Sequence, residues 1–123
     1  MVSMALSTRP TEGQVVVTLR GELDTADAAS AAAALVAAAA RAPQIIVDLA
    51  GLEFIDASGV AALVLARVQT RRAGGDLLLA APQDQVLRVL ATIHLADVLS
   101  VHASVDEAAG SAASCRRAAV PVA

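Results

Sequence analysis

The chain has 123 residues, enough for one domain with a proper core and too few for two. Hydrophobic residues make up 57% of it, but 31 residues are alanine, one is phenylalanine, and there is no tryptophan or tyrosine, so the bulk of the core must come from Leu, Val and Ile. All nine basic residues are arginine, which excludes Schiff-base chemistry and a phosphate-cradling P-loop lysine, and a net charge of −3 with no basic stripe argues against nucleic acid as a partner.

In chain order, residues 4–8 are expected to form a first strand that turns near Pro10–Gly13 into a second, VVVTL at 15–19. That second run is continuous and β-branched, the pattern of a strand buried on both faces. GELDTAD at 21–27 then opens a helix, with Asp24 placed to cap it by accepting from a free backbone N–H. Its alanines are strong helix formers, and it is expected to run to about Ala42, before Pro43. QIIVDL at 44–49 is the next strand, followed after Gly51 by a short LEFI.

From Ser58 a helical period appears, with Val60, Leu63, Val64 and Val68 on one stripe and Arg67 and Arg71 expected in solvent. Gly74 and Gly75 stop that helix. LLLAA at 77–81 is a further strand, Pro82 marks where another helix can begin, and Val86, Leu90 and Ile93 give it an apolar face. A short strand near Val98–Val101 and a helical turn or two over 104–109 complete the pattern. Strands alternating with helices predict an α/β domain over residues 1–110, with a mostly parallel sheet of about four to five strands and an N-terminal hairpin. Residues 111–123 have no amphipathic period and are expected to form a flexible tail.

Cys115 is the single cysteine, so an internal disulfide or a cysteine zinc site is excluded. No spacing of histidines and carboxylates matches a metal site, and no cofactor is expected. The first residues, MVSMALSTRP, do not read as a secretory signal, and the apolar run at 28–40 is too short for a bilayer. A cytoplasmic protein with no membrane partner is therefore expected.

Catalytic readings fit poorly. A hydrolase elbow needs G-x-S-x-G, but around Ser58 the chain reads Asp56-Ala57-Ser58-Gly59-Val60, and nothing orients His94 or His102 as a base. Asp48 follows an apolar run as a phosphoacceptor aspartate does, but that chemistry needs a lysine, so Asp48 is expected at a strand end facing a loop. Ser58 keeps two readings. It can be the N-cap of its helix, accepting from the N–H of Val60 or Ala61. It can also be an exposed phosphoacceptor, since small neighbours Ala57 and Gly59 admit another protein and a phosphate adds about −1.5 to −2 charges there.

Three stretches carry a family resemblance: GELDTADA at 21–28, IIVDLAGLEFIDASGVAAL at 45–63 and RRAGGDLLLAAP at 71–82. Together they resemble the STAS-domain family, and most closely the bacterial anti-sigma factor antagonists. The resemblance implies a STAS fold and a regulatory protein that is not an enzyme. It implies that Ser58, in its D-A-S-G context, is phosphorylated by a partner anti-sigma factor that is also a serine kinase. The unphosphorylated form binds that partner and releases a sigma factor; a serine phosphatase resets the switch. Asp24 and Asp56 are implied on the same surface, with Ala57 and Gly59 around the serine. Within the same family, the alternative is a fixed STAS subunit of a phospholipid transporter or stress-signalling complex.

Overall fold

In the computed structural model, which describes residues 4–11, 14–92 and 99–110, strand β1 (Met4–Thr11) pairs antiparallel with β2 (Gln14–Leu23). The chain then alternates: α1 (Thr25–Ala39), β3 (Gln44–Ile55), α2 (Ala57–Arg72), β4 (Asp76–Ala80), α3 (Asp84–Thr92) and β5 (Ser100–His102). The sheet order is β1-β2-β3-β4-β5, and every pair after the first is parallel. This is the expected α/β domain with its N-terminal hairpin.

The strand order never reverses after the hairpin, so crossovers of one hand place their helices on one face of the sheet. One continuous core follows from it. Val15, Val17 and Leu19 of β2, Ile45 and Val47 of β3, and Leu77 and Leu79 of β4 pack with Leu35, Val60, Leu63, Val86 and Leu90 of the three helices. The alternate side chains, Val16, Ile46, Leu78 and Ala80, point to the other face. There they meet Ala108, from a helical stretch at residues 105–110 that Ser104 caps by accepting from the Glu107 N–H at 3.0 Å. Both faces are covered, which explains the continuous apolar strands.

Several sequence expectations shift. Helix α1 ends at Ala39, with Ala40 as its C-cap, because the chain must leave helical geometry to enter β3 at Gln44. The strand over 44–49 and the LEFI run are one twelve-residue strand, and Asp48 lies within it rather than at its end. β2 continues to Leu23 and so offers hydrogen-bond partners along the whole length, at the cost of two register shifts. Asp48 serves the first, accepting from the Ala50 N–H at 3.0 Å. Gln83 and Gln85 donate to the carbonyls of Ala50 and Glu53, which satisfies backbone acceptors where the ladder is irregular.

On α2 the bulky stripe was only part of the packing face. Val68 is 40% exposed, whereas Gly59, Ala62, Ala66 and Thr70 are buried. Arg67 is not solvated: its Nε meets Asp76 Oδ1 at 3.1 Å and ties α2 to the start of β4. Helix α3 begins at Asp84, two residues after Pro82, and buries Val86 and Leu90. β5 begins at Ser100. The expectations for Ile93, Val98, Cys115 and the tail fall outside the described residues.

Helix α2 ends in a Schellman motif, in which the Gly74 N–H donates to the Arg71 carbonyl and the Gly75 N–H to the Thr70 carbonyl, each at 3.0 Å. Gly74 has φ +94°, and its Cβ position is open. Gly75 is needed for a different reason: a Cβ there would stand 1.8 Å from the Pro43 carbonyl oxygen, beside the turn that enters β3. We expect Gly75→Ala to cost about 2–3 kcal/mol in urea unfolding and Gly74→Ala only about 1 kcal/mol. Equal losses would contradict the close approach at Gly75.

Candidate functional site

Two neighbouring parallel strands end together. Leu23 of β2 pairs with Ile55 of β3, and the next residue in each chain segment is an aspartate. Both aspartates have extended backbone, φ −126° and ψ −170° at Asp24, φ −110° and ψ −176° at Asp56. Each caps the helix that follows. Asp24 Oδ1 accepts from the Ala26 N–H at 3.1 Å, and Asp56 Oδ1 from the Gly59 N–H at 2.9 Å. The Asp56 N–H in turn donates to the Leu23 carbonyl at 3.2 Å, so the second cap is fixed to the end of the first strand. Helices α1 and α2 therefore start side by side at the carboxyl edge of the parallel sheet, where open α/β sheets present their sites.

Gly59 permits this arrangement. A Cβ at that position would lie 2.6 Å from the Leu23 carbonyl oxygen and 2.7 Å from Ile55 Cγ1. The first turn of α2 can sit on the two strand ends only without a side chain there. Gly59 is buried, so it shapes the surface from beneath, while Ala57 is exposed and Ser58 half-buried.

Ser58 is not the helix cap. Asp56 holds that position, and Ala57 and Ser58 are already helical. The Ser58 hydroxyl is thereby left for side-chain chemistry, and its partner is the Thr25 hydroxyl, 3.1 Å away. Thr25 also donates to Asp56 Oδ2 at a long 3.5 Å. Asp24, Asp56, Ala57, Ser58 and Gly59, all named from the sequence, thus come together at two adjacent helix starts. The exposed N-terminal peptide dipoles favour an anion there, and the two cap carboxylates oppose it.

Sequence reasoning missed Thr25, which lies 33 residues from Ser58. A signal was present: Leu23-Asp24-Thr25-Ala26 and Ile55-Asp56-Ala57-Ser58 repeat a pattern of apolar residue, capping acid and short side chains. Phe54 was also missed as a surface residue, although it is 47% exposed two positions before Asp56. An apolar groove of about 210 Å³ runs from Ser58 along the α1–α2 seam, lined by Ala28, Ala29 and Ala32 on one side and Ala61, Ala62 and Leu65 on the other.

His102 pairs with Ser100, its Nε2 at 2.9 Å from the serine Oγ, and His94 lies outside the described residues. Among the described residues no group of three His, Cys, Asp or Glu side chains is placed to hold a metal, and no helix is long and apolar enough to cross a membrane.

The division of labour between the acid and the serine is measurable. Asp56→Ala is expected to destabilise the domain by about 1–2 kcal/mol in urea unfolding, the usual loss for an N-cap, and Ser58→Ala to stay within about 0.5 kcal/mol of the parent. The reverse order would return the cap to Ser58.

No curated protein matches the chain in sequence. Among solved structures it is similar to an anti-sigma factor antagonist from Mycobacterium paratuberculosis, at 22% identity and TM-score 0.80, over 89% of this chain and 94% of that one. It is also similar to the anti-sigma factor antagonist SpoIIAA in its unphosphorylated form, at 25% identity and TM-score 0.70, over 85% of this chain and 92% of the other. The phosphorylated form of SpoIIAA, described as a Bacillus cell fate determinant, matches at 25% identity and TM-score 0.65, over 86% and 97%. SLC26A9 shares the fold at 18% identity and TM-score 0.73, with 85% of this chain covering 20% of that protein. The sequence profile of the STAS domain matches residues 5–108, and with the geometry above this places the chain in the STAS domain family.

Proposed function

We propose that the protein is an anti-sigma factor antagonist whose binding is switched by phosphorylation of Ser58. The observation that carries this reading is the Ser58 hydroxyl at the start of α2, relieved of capping by Asp56. Supporting it, SpoIIAA, one of the antagonists this chain resembles, is known in both unphosphorylated and phosphorylated forms. In this reading the unmodified protein docks through Ser58, Ala57, Asp24 and Asp56 on an anti-sigma factor and so frees a sigma factor. The same partner is the serine kinase and supplies ATP, and a serine phosphatase restores the hydroxyl. The chain itself binds rather than catalyses, and it works in the cytoplasm.

The energetics suffice without refolding. A phosphate of about −1.5 to −2 charges at Ser58 would be buried by the docked partner beside the carboxylate of Asp56. An uncompensated charge in a packed interface costs on the order of 3–5 kcal/mol, and each 1.4 kcal/mol is about tenfold in affinity. One modification therefore weakens docking by about a hundredfold or more. The second reading, a fixed STAS subunit of a transporter or stress-signalling complex, draws on the fold shared with SLC26A9. There Ser58 serves the interface without a kinase.

Incubation with the cognate anti-sigma kinase and ATP is expected to place one phosphate on Ser58 and none on Ser58→Ala. Partner capture is expected to recover an ATP-binding anti-sigma factor with the parent protein and to lose it with Ser58→Asp. Modification of Ser58→Ala at the parental rate, or recovery of a transporter ATPase as the partner, would contradict the proposal.

A further inference from the structure

Thr25, the first residue of α1 and exposed, sits between Ser58 and Asp56, with its Oγ1 at 3.1 Å from Ser58 Oγ and 3.5 Å from Asp56 Oδ2. A carboxylate only accepts, so the contact with Asp56 uses the Thr25 proton. In the shorter contact either hydroxyl can donate, and in both cases it holds Ser58 Oγ beside Thr25 Oγ1.

We propose that Thr25 is a positioning residue for Ser58: its hydroxyl holds Ser58 Oγ in one rotamer before phosphoryl transfer and donates to the phosphate afterwards. This rests on the reading of Ser58 as the phosphoacceptor. In the transfer, Ser58 Oγ bonds to the γ-phosphorus of ATP while the bond from that phosphorus to the β–γ bridging oxygen breaks. ADP leaves, and the Ser58 proton passes to a base of the kinase.

The ester oxygen then has no proton, so Ser58 can no longer donate to Thr25. A strongly accepting phosphate now stands beside the Thr25 hydroxyl, and hydrogen bonds to such an anion are shorter and stronger than neutral ones. Thr25 then donates to the phosphate, and Asp56 keeps its cap through Oδ1 and the Gly59 N–H.

Two measurements on the full chain test this without any kinase. By NMR, the Ser58 Hα–Hβ couplings are expected to report a single staggered rotamer in the parent, rotamer averaging in Thr25→Val and Thr25→Ala, and a single rotamer again in Thr25→Ser. Unchanged couplings in the Val and Ala variants would overturn the proposal. In chains carrying phosphoserine at position 58 from translation, 31P titration is expected to show the phosphate pKa raised in Thr25→Val by roughly half to one unit, because loss of a donor disfavours the dianion. Thr25→Ser is expected to restore it. Asp24 and Asp56 are common to all variants, so their repulsion cancels in the comparison. Identical titrations in Thr25 and Thr25→Val chains would overturn the proposal. A Ser58 that no kinase modifies would end the reading of the switch while leaving the rotamer result standing.

Discussion

Everything at the site hangs on one junction, where the Asp56 N–H reaches the Leu23 carbonyl at 3.2 Å and the first turn of α2 lies on the ends of β2 and β3. Parallel pairing of Leu23 with Ile55 brings the two strands to the same level. The following aspartates then adopt the same extended conformation and start two helices next to each other. Gly59 removes the side chain that would otherwise push α2 away from Leu23 and Ile55. Small residues extend the same principle up the seam, where Ala28, Ala29 and Ala32 of α1 face Ala61 and Ala62 of α2. These alanines keep the two helices close beside the point where Thr25 and Ser58 touch.

Much of this was legible in the sequence. Continuous Val, Ile and Leu runs marked β2, β3 and β4 because both sheet faces are covered, and Asp24 could be named as a cap from its place ahead of an alanine helix. The cap of α2 was harder. D-A-S-G offers two residues that can cap, and only the backbone angles decide between them; the extended residue is Asp56. The full length of β3 was hidden because its second half pairs through register shifts, which blur any alternating pattern and placed Asp48 wrongly at a strand end. Thr25 is a contact between distant segments, and local propensity carries no information about it. Arg67 looked like a solvated helix residue because its partner, Asp76, comes from the next strand.

In the proposed reading, the division of roles between Asp56 and Ser58 lets one short motif be both structural and switchable. A serine that closed the helix itself would have its capping contact remade around a phosphate on modification. With the acid carrying the cap, the hydroxyl can gain or lose a phosphate while α2 keeps its start. The helix dipoles reduce the cost of the charge inside the protein, and the neighbouring carboxylates and a covering partner raise it at the interface. The free protein is therefore expected to accept the modification far more easily than the complex does.

The most direct test combines binding and structure in one comparison: the affinity of the protein for the anti-sigma partner proposed above with serine and with phosphoserine at position 58, alongside the amide NMR spectra of both free forms. A loss of about a hundredfold or more in affinity, with spectral changes confined to the starts of α1 and α2, is the predicted result. Equal affinities, or changes spread through the whole sheet, would contradict a local charge switch at this junction.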